Sequence, residues 1–214
     1  MSSQPSASDA PRLEVRAVHL WRGERHLLRG VELSLGEGEL LQVVGPNGVG
    51  KTSLLRCVAG LLPMESGDVR WCGHTIHEHR DAFHRELSYL AHTNALKNEL
   101  TALENLRYSI GMRRAFSEGE LTEALERVQI SACGSLPVRA LSAGQKRRLA
   151  IARILLSHSK LWILDEPITN LDVAGISLFE QCMSMHLNRG GMVLTAAHQL
   201  LLQGQSNVRT LELH

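Results

Sequence analysis

The spacing of apolar positions changes along the chain, and each change marks a new element. Leu13–His19 alternates, with Leu13, Val15 and Ala17 against Glu14, Arg16, Val18 and His19, as in an edge strand with one buried face. Gly23-Glu24 predicts a turn. Leu27–Leu35 reads as a second strand pair, closed by Gly36-Glu37-Gly38. Leu40–Val44 is a short apolar run of the kind found in buried parallel strands. It passes directly into a glycine-rich loop, and the spacing after the loop predicts a helix from about Lys51 to Leu61. A further strand pair, Asp68–Trp71 and Thr75–Ile76, is split by Gly73.

From about Asn94 to Leu136 the pattern becomes helical. Thr101 followed by Glu104 is a capping-box signal. Leu121, Ala124, Leu125 and Val128 form one apolar helical face within Glu118–Ile130. After Pro137 another helix starts near Ser142 and carries Leu149, Ile151 and Ile154. Leu161–Leu164 and Met192–Ala196 read as buried strands. No repeat is visible. Strands alternating with helices predict an α/β fold with a parallel sheet and a helical insertion, and not two full domains.

Composition narrows the class. The chain has 214 residues, 43% of them hydrophobic, which suits a globular domain and not a disordered chain. Its 23 Lys plus Arg nearly cancel 22 Asp plus Glu, so nucleic acid is not expected as the main partner. No apolar run is long enough to cross a membrane. Residues 1–11 (MSSQPSASDAP) are polar, with no basic start and no apolar stretch. They predict a disordered tail and no secretory signal. Cys57, Cys72, Cys133 and Cys182 lie far apart, which predicts buried structural thiols in a reducing cytoplasm. The histidines His74, His77, His79 and His84 flank a predicted turn and mix with charges. They read as solvated surface residues and not as a metal or heme site.

Two segments carry chemistry. Gly45-Pro46-Asn47-Gly48-Val49-Gly50-Lys51-Thr52, with Ser53 following in the helix, fits the phosphate-loop pattern between a strand and a helix. Glycines let successive N–H groups converge on a phosphate, and the helix N-terminus adds partial positive charge. Lys51 can reach the β- and γ-phosphates of ATP, and Thr52 can offer a hydroxyl to Mg²⁺. The apolar strand Leu161–Leu164 ends in Asp165-Glu166. A parallel strand beside the loop would bring Asp165 to the magnesium, and Glu166 to the attacking water as a general base.

Leu141-Ser142-Ala143-Gly144-Gln145 follows the helical segment and precedes that strand. It resembles the LSGGQ signature of ATP-binding cassette (ABC) ATPases, with Ala143 for the first glycine. The order of phosphate loop, signature, Asp165-Glu166, Asn170-Leu171-Asp172 and His198 is similar to that family over nearly the whole chain. The resemblance implies a phosphate-loop NTPase domain with an antiparallel β subdomain and a helical signature subdomain. It implies one such domain over residues 12–214, with the helical part inserted at about 94–150. In the family, Ser142, Ala143, Gly144 and Gln145 would hold the partner subunit's ATP in a homodimer. Leu171 and Asp172 would form the D-loop at that interface, and His198 would contact the γ-phosphate. Two positions depart from the family pattern. His92 stands where a magnesium-linked Gln is usual, so either His92 or Thr93 takes that role or the contact is missing. The adenine-stacking aromatic falls on Trp21 or on Arg22, with Trp21 preferred.

His92, the Leu100–Leu106 block, Leu141–Arg148 and the 16 residues after His198 (214 − 198) resemble the CcmA subfamily, the ATPase subunit of the heme exporter of bacterial cytochrome c maturation. That resemblance implies ATP hydrolysis coupled to transport, with no appended regulatory domain. It implies a separate integral membrane subunit, other maturation components as partners and a peripheral place on the cytoplasmic face of the inner membrane. Heme would not bind this chain directly. A soluble ATPase of the iron–sulfur assembly type is the alternative.

Overall fold

The computed structural model describes residues 12–214; the tail expected at 1–11 lies outside them. The chain opens with β1 (Leu13–Arg22), β2 (Arg25–Leu35) and β3 (Leu40–Val44), followed by α1 (Lys51–Val58). Next come β4 (Ser66–Trp71), β5 (His74–Thr75), α2 (Arg80–Glu86) and β6 (Leu87–Leu90). Three helices follow: α3 (Ala102–Gly111), α4 (Glu118–Arg127) and α5 (Ala143–Ser157). The last part is β7 (Leu161–Asp165), α6 (Val173–Asn188), β8 (Met192–Ala196) and β9 (Val208–Glu212).

The strands form an antiparallel sheet of order β2-β1-β4-β5 and a second sheet of order β6-β7-β8-β3-β9. Every pairing in the second sheet is parallel. The period-two geometry of a strand divides each inner strand between two cores. In β7, Leu161 and Ile163 join α1 and the antiparallel sheet, whereas Trp162 and Leu164 join α3, α4, α5 and α6. β8 divides in the same way at Leu194 and Val193. Strands buried on both faces explain why Leu161–Leu164 is continuously apolar and why Met192–Ala196 is apolar but for Thr195.

Several expectations change. Leu13–His19 lies within an inner strand, because β1 pairs with both β2 and β4. Its alternation also breaks. Ala17 has φ 44°, and the register to both neighbouring strands shifts around it. This bulge inverts the phase, so Ala17 is exposed while Val18 and Leu20 are buried at 0% and 3% exposure. Leu27–Leu35 belongs to one strand and not a pair. Helix α1 stops at Val58, short of Leu61. Cys72 is exposed in a left-handed turn, unlike the buried Cys57, Cys133 and Cys182. His84 is half-buried and lies 3.3 Å from the Ala59 carbonyl. Among the described residues no helix is long and apolar enough to cross a membrane.

Candidate active site

The carboxyl ends of β3, β7 and β8 meet at one edge of the parallel sheet, where such sheets place their ligands. β3 delivers the phosphate loop. Gly45 has φ 142°, and a Cβ there would lie 2.5 Å from the Leu213 carbonyl, so neither the conformation nor the space admits a side chain. Pro46, Asn47 and Gly48 are exposed, while Val49 is buried against the core beneath them. The loop turns into α1 through Gly50, which serves as its N-cap. The first N–H groups of α1 have no intrahelical partners and suit phosphate oxygens. Lys51 folds back over the loop and donates to the carbonyls of Gly45 at 2.8 Å and Pro46 at 3.0 Å. Thr52 is exposed and Ser53 half-buried in the first turn.

β7 delivers the acids. β8 lies between β7 and β3, so Asp165 is not on the strand adjoining the loop, yet it still reaches across. Thr52 Oγ1 donates to Asp165 Oδ1 at 2.9 Å. Burial pushes the Asp165 carboxyl above the usual range, opposed by the Thr52 hydrogen bond and by the charges of His92, Arg147 and Lys51. The two oxygens form a hard pair that suits magnesium. His92 follows β6, whose Leu90 pairs with Leu164, so it emerges at the same sheet edge. Glu166 is left-handed at φ 50°, and its N–H donates to Ala196 O at 2.8 Å. His198 Nε2 lies 3.5 Å from Glu166 Oε1.

The signature forms the exposed start of α5. Ser142 accepts the Gln145 N–H at 3.2 Å, and Gln145 Oε1 accepts the Ser142 N–H at 2.8 Å. The box uses the Gln145 N–H and leaves those of Ala143 and Gly144 without an intrahelical partner, in a first turn that holds no acidic residue. Asp172 caps α6 through the Gly175 N–H at 2.9 Å and pairs with Arg148 at 2.8 Å. Those two contacts, the amide first, hold its carboxyl below the usual range. Leu171, beside it, is half-buried.

The bulge at Ala17 separates the two adenine candidates. Trp21 is 46% exposed and stacks on His26 at 4.3 Å between centroids. Arg22, also exposed, falls on the other strand face from Trp21, the face of Leu20, whose partner Leu28 packs where a Gly50 Cβ would be.

Two residues at this site carry no sequence signal of their own. Arg147 is 1% exposed and makes five hydrogen bonds. They run to the carbonyls of Asp165, Glu166, Pro167 and Ala91 and to Asn94 Oδ1. Burial pulls its guanidinium down to about 10. Gln42 bonds to the segment around His198. An Arg next to Arg148 reads as surface charge, and a Gln within an apolar run reads as a neutral interruption.

Fold and site together define a phosphate-loop ATPase with a separate, outward-facing signature helix. The ABC transporter family model matches residues 28–169, which include the loop, the signature and both acids. A cytochrome c biogenesis ATP-binding export protein CcmA from Methylococcus capsulatus is 48% identical over 195 residues, 91% of this chain and 94% of the relative. The protein of the same name from Dechloromonas aromatica is 45% identical over 202 residues, 94% and 99% of the two chains. A solved ATP-binding subunit of an ABC transporter superposes with a TM-score of 0.77 at 26% identity, covering 87% of this chain and 79% of its own. The chain belongs to the ABC transporter family, in the branch of these CcmA proteins.

Proposed function

We propose that this chain is the ATP-hydrolysing subunit of a membrane exporter in cytochrome c biogenesis, with heme as the exported class of substrate. The observation that carries the reading is the meeting of Thr52 with Asp165 and of Glu166 with His198 at one sheet edge, beside a fitting phosphate loop. Residues 12–214 serve as one cassette with its helical part at about 94–150.

Lys51 exchanges its carbonyl partners for the β- and γ-phosphates of ATP. Thr52 and Asp165 would hold Mg²⁺, with His92 reaching it through water, since magnesium prefers oxygen ligands and keeps several waters. Magnesium, when bound, neutralises phosphate charge. Glu166 orients a water and accepts its proton as the water oxygen attacks the γ-phosphorus and the bond to the bridging oxygen breaks. His198 contacts the γ-phosphate. Of the two adenine candidates, Arg22 takes the base-stacking role in this reading in place of Trp21, which stacks on His26; a guanidinium can stack on a base.

The outward N-terminus of α5 supports a homodimer in which Ser142, Ala143, Gly144 and Gln145 receive the partner's γ-phosphate, with Leu171 and Asp172 at the interface. A separate integral membrane subunit carries the transport path, and this chain sits peripherally at the cytoplasmic face of the inner membrane beside the other maturation components. Neither nucleic acid nor heme is a ligand. No observation favours the iron–sulfur assembly reading.

Glu166→Gln tests this directly. It should bind ATP normally, turn over roughly a hundredfold more slowly or worse and accumulate as a dimer with ATP and magnesium in sedimentation. Co-expression with the membrane subunit should bring the chain into the membrane fraction. Normal turnover of the variant, or a chain that stays out of membranes, would refute the respective half.

A further inference from the structure

Gln42 lies in β3, three residues before the phosphate loop, and is fully buried at 0% exposure between apolar neighbours. It pairs with Thr195 of β8 in the parallel register. All of its side-chain hydrogen bonds go to one segment. The side-chain NH₂ donates to the carbonyls of Ala197 at 3.2 Å and Gln199 at 2.7 Å. The side-chain carbonyl accepts the Leu201 N–H at 3.0 Å. With two carbonyls on one side and an N–H on the other, the amide fits in only one orientation. A buried amide is tolerable only when bonded, so this side chain and the 197–201 segment require each other.

The two donor contacts fall on the residues immediately before and after His198. That segment has no regular secondary structure of its own, and the His198 side chain is exposed, 3.5 Å from Glu166. We infer that Gln42 is a positioning residue for ATP hydrolysis. It fastens the peptide units on both sides of His198 to the strand that carries the phosphate loop, so that His198 and the loop share one rigid frame. This rests on the reading of His198 as the γ-phosphate contact. Gln42 itself does not touch the nucleotide.

The test uses the full chain with Gln42→Met, which keeps the length and removes the hydrogen bonds, in wild-type and His198→Ala backgrounds. ATP affinity by equilibrium titration, steady-state turnover and amide exchange of residues 197–202 are read for each. Gln42→Met should lower kcat roughly ten- to hundredfold, leave the ATP Kd within about threefold and speed exchange at 198–201. Added to His198→Ala, it should cost nothing further, because the two act as one unit. Gln42→Asn, which keeps an amide able to make part of these contacts, should lose less and serves if the Met variant does not fold. Unchanged kcat, a loss confined to Kd, or an equal loss in the His198→Ala background would each overturn the role of Gln42. Wild-type turnover in His198→Ala alone would instead overturn the reading of His198 on which the inference rests.

Discussion

Gly144 in the signature backs directly onto Asn170: a Cβ at Gly144 would lie 3.0 Å from the Asn170 carbonyl oxygen. Ala143, one residue earlier, is exposed. The two glycine positions of the family pattern are therefore not equivalent, and the alanine stands where there is room for a methyl group. Ala143→Gly should change stability by less than about 1 kcal/mol and leave turnover near wild type. Gly144→Ala must push the Asn170–Asp172 segment away from α5. It should reduce ATP-dependent dimerisation and turnover by roughly tenfold or more, with ATP binding to the monomer retained. Sedimentation with and without ATP, alongside a turnover assay, separates the two variants.

The capping box of Thr101 with Glu104 was legible because a cap is written in residues three apart; Ser117 with Glu120 and Ser142 with Gln145 form the same box in the structure. The phosphate loop and the acids after Leu164 were legible for the same reason, since each is a local pattern with its own chemistry. The phase of β1 was not. A bulge at a non-glycine residue leaves no mark in the pattern, and the alternation read through Ala17 places Val18 on the wrong face. Strand β9 is short, half-exposed and polar, and only its pairing with β3 makes it a strand. The clamps on the site are equally hidden. Gln42 meets Ala197 across 155 positions, and Arg147 meets Ala91 across 56.

Under the proposed function, the phase inversion at Ala17 bears on which residue meets the base. It turns Trp21 onto His26, away from the face that Leu20 and Leu28 press toward the phosphate loop. Arg22 is exposed on the other face of β1 from Trp21, close enough for its charge to bear on Cys57 in α1. Arg22→Ala should weaken ATP binding about three- to tenfold, the scale of one cation–π contact, and leave inorganic triphosphate binding unchanged. Trp21→Ala should alter neither by more than about twofold. Equal losses for ATP and triphosphate in Arg22→Ala would mean that this residue meets phosphate and not base.

His186 supplies a pH dependence far from the nucleotide. Its ring lies flat on Trp162, 3.8 Å between centroids at an interplanar angle of 6°, and burial pushes it down from 6.5 to about 4. The neutral ring is the one the fold accepts. As pH falls below the ordinary histidine value, the unfolded chain takes up the proton first, so stability is full above that value and is lost progressively toward pH 4. Between pH about 7.5 and about 5, urea denaturation should register an extra loss of about 1–2 kcal/mol in the wild type. His186→Phe keeps the stack on Trp162 and should flatten that part of the profile. An unchanged profile would place the acid sensitivity elsewhere.

Arg147 is the most heavily bonded side chain at the site, and its partners explain why an arginine is needed. The guanidinium bonds to three consecutive carbonyls, Asp165, Glu166 and Pro167, at the turn where Glu166 is left-handed. On its other side it holds Ala91 O and Asn94 Oδ1, which bracket His92. One side chain on the signature helix thus fixes both the Glu166 turn and the segment after β6. Among the described residues no carboxylate pairs with it directly; the charges of Asp165 and Glu166 act on it from a distance. A lysine presents three donors at a point and cannot span this fork. Burial would also drive its lower pKa toward neutrality. Arg147→Lys should therefore fold with a reduced melting temperature and turn over about tenfold more slowly, at near-normal ATP affinity. Arg147→Leu orphans several buried carbonyls, each worth about 1–3 kcal/mol, and should lose more than about 3 kcal/mol in urea denaturation. Wild-type kcat in Arg147→Lys would mean that Glu166 is held by the sheet alone and that the arginine serves stability only.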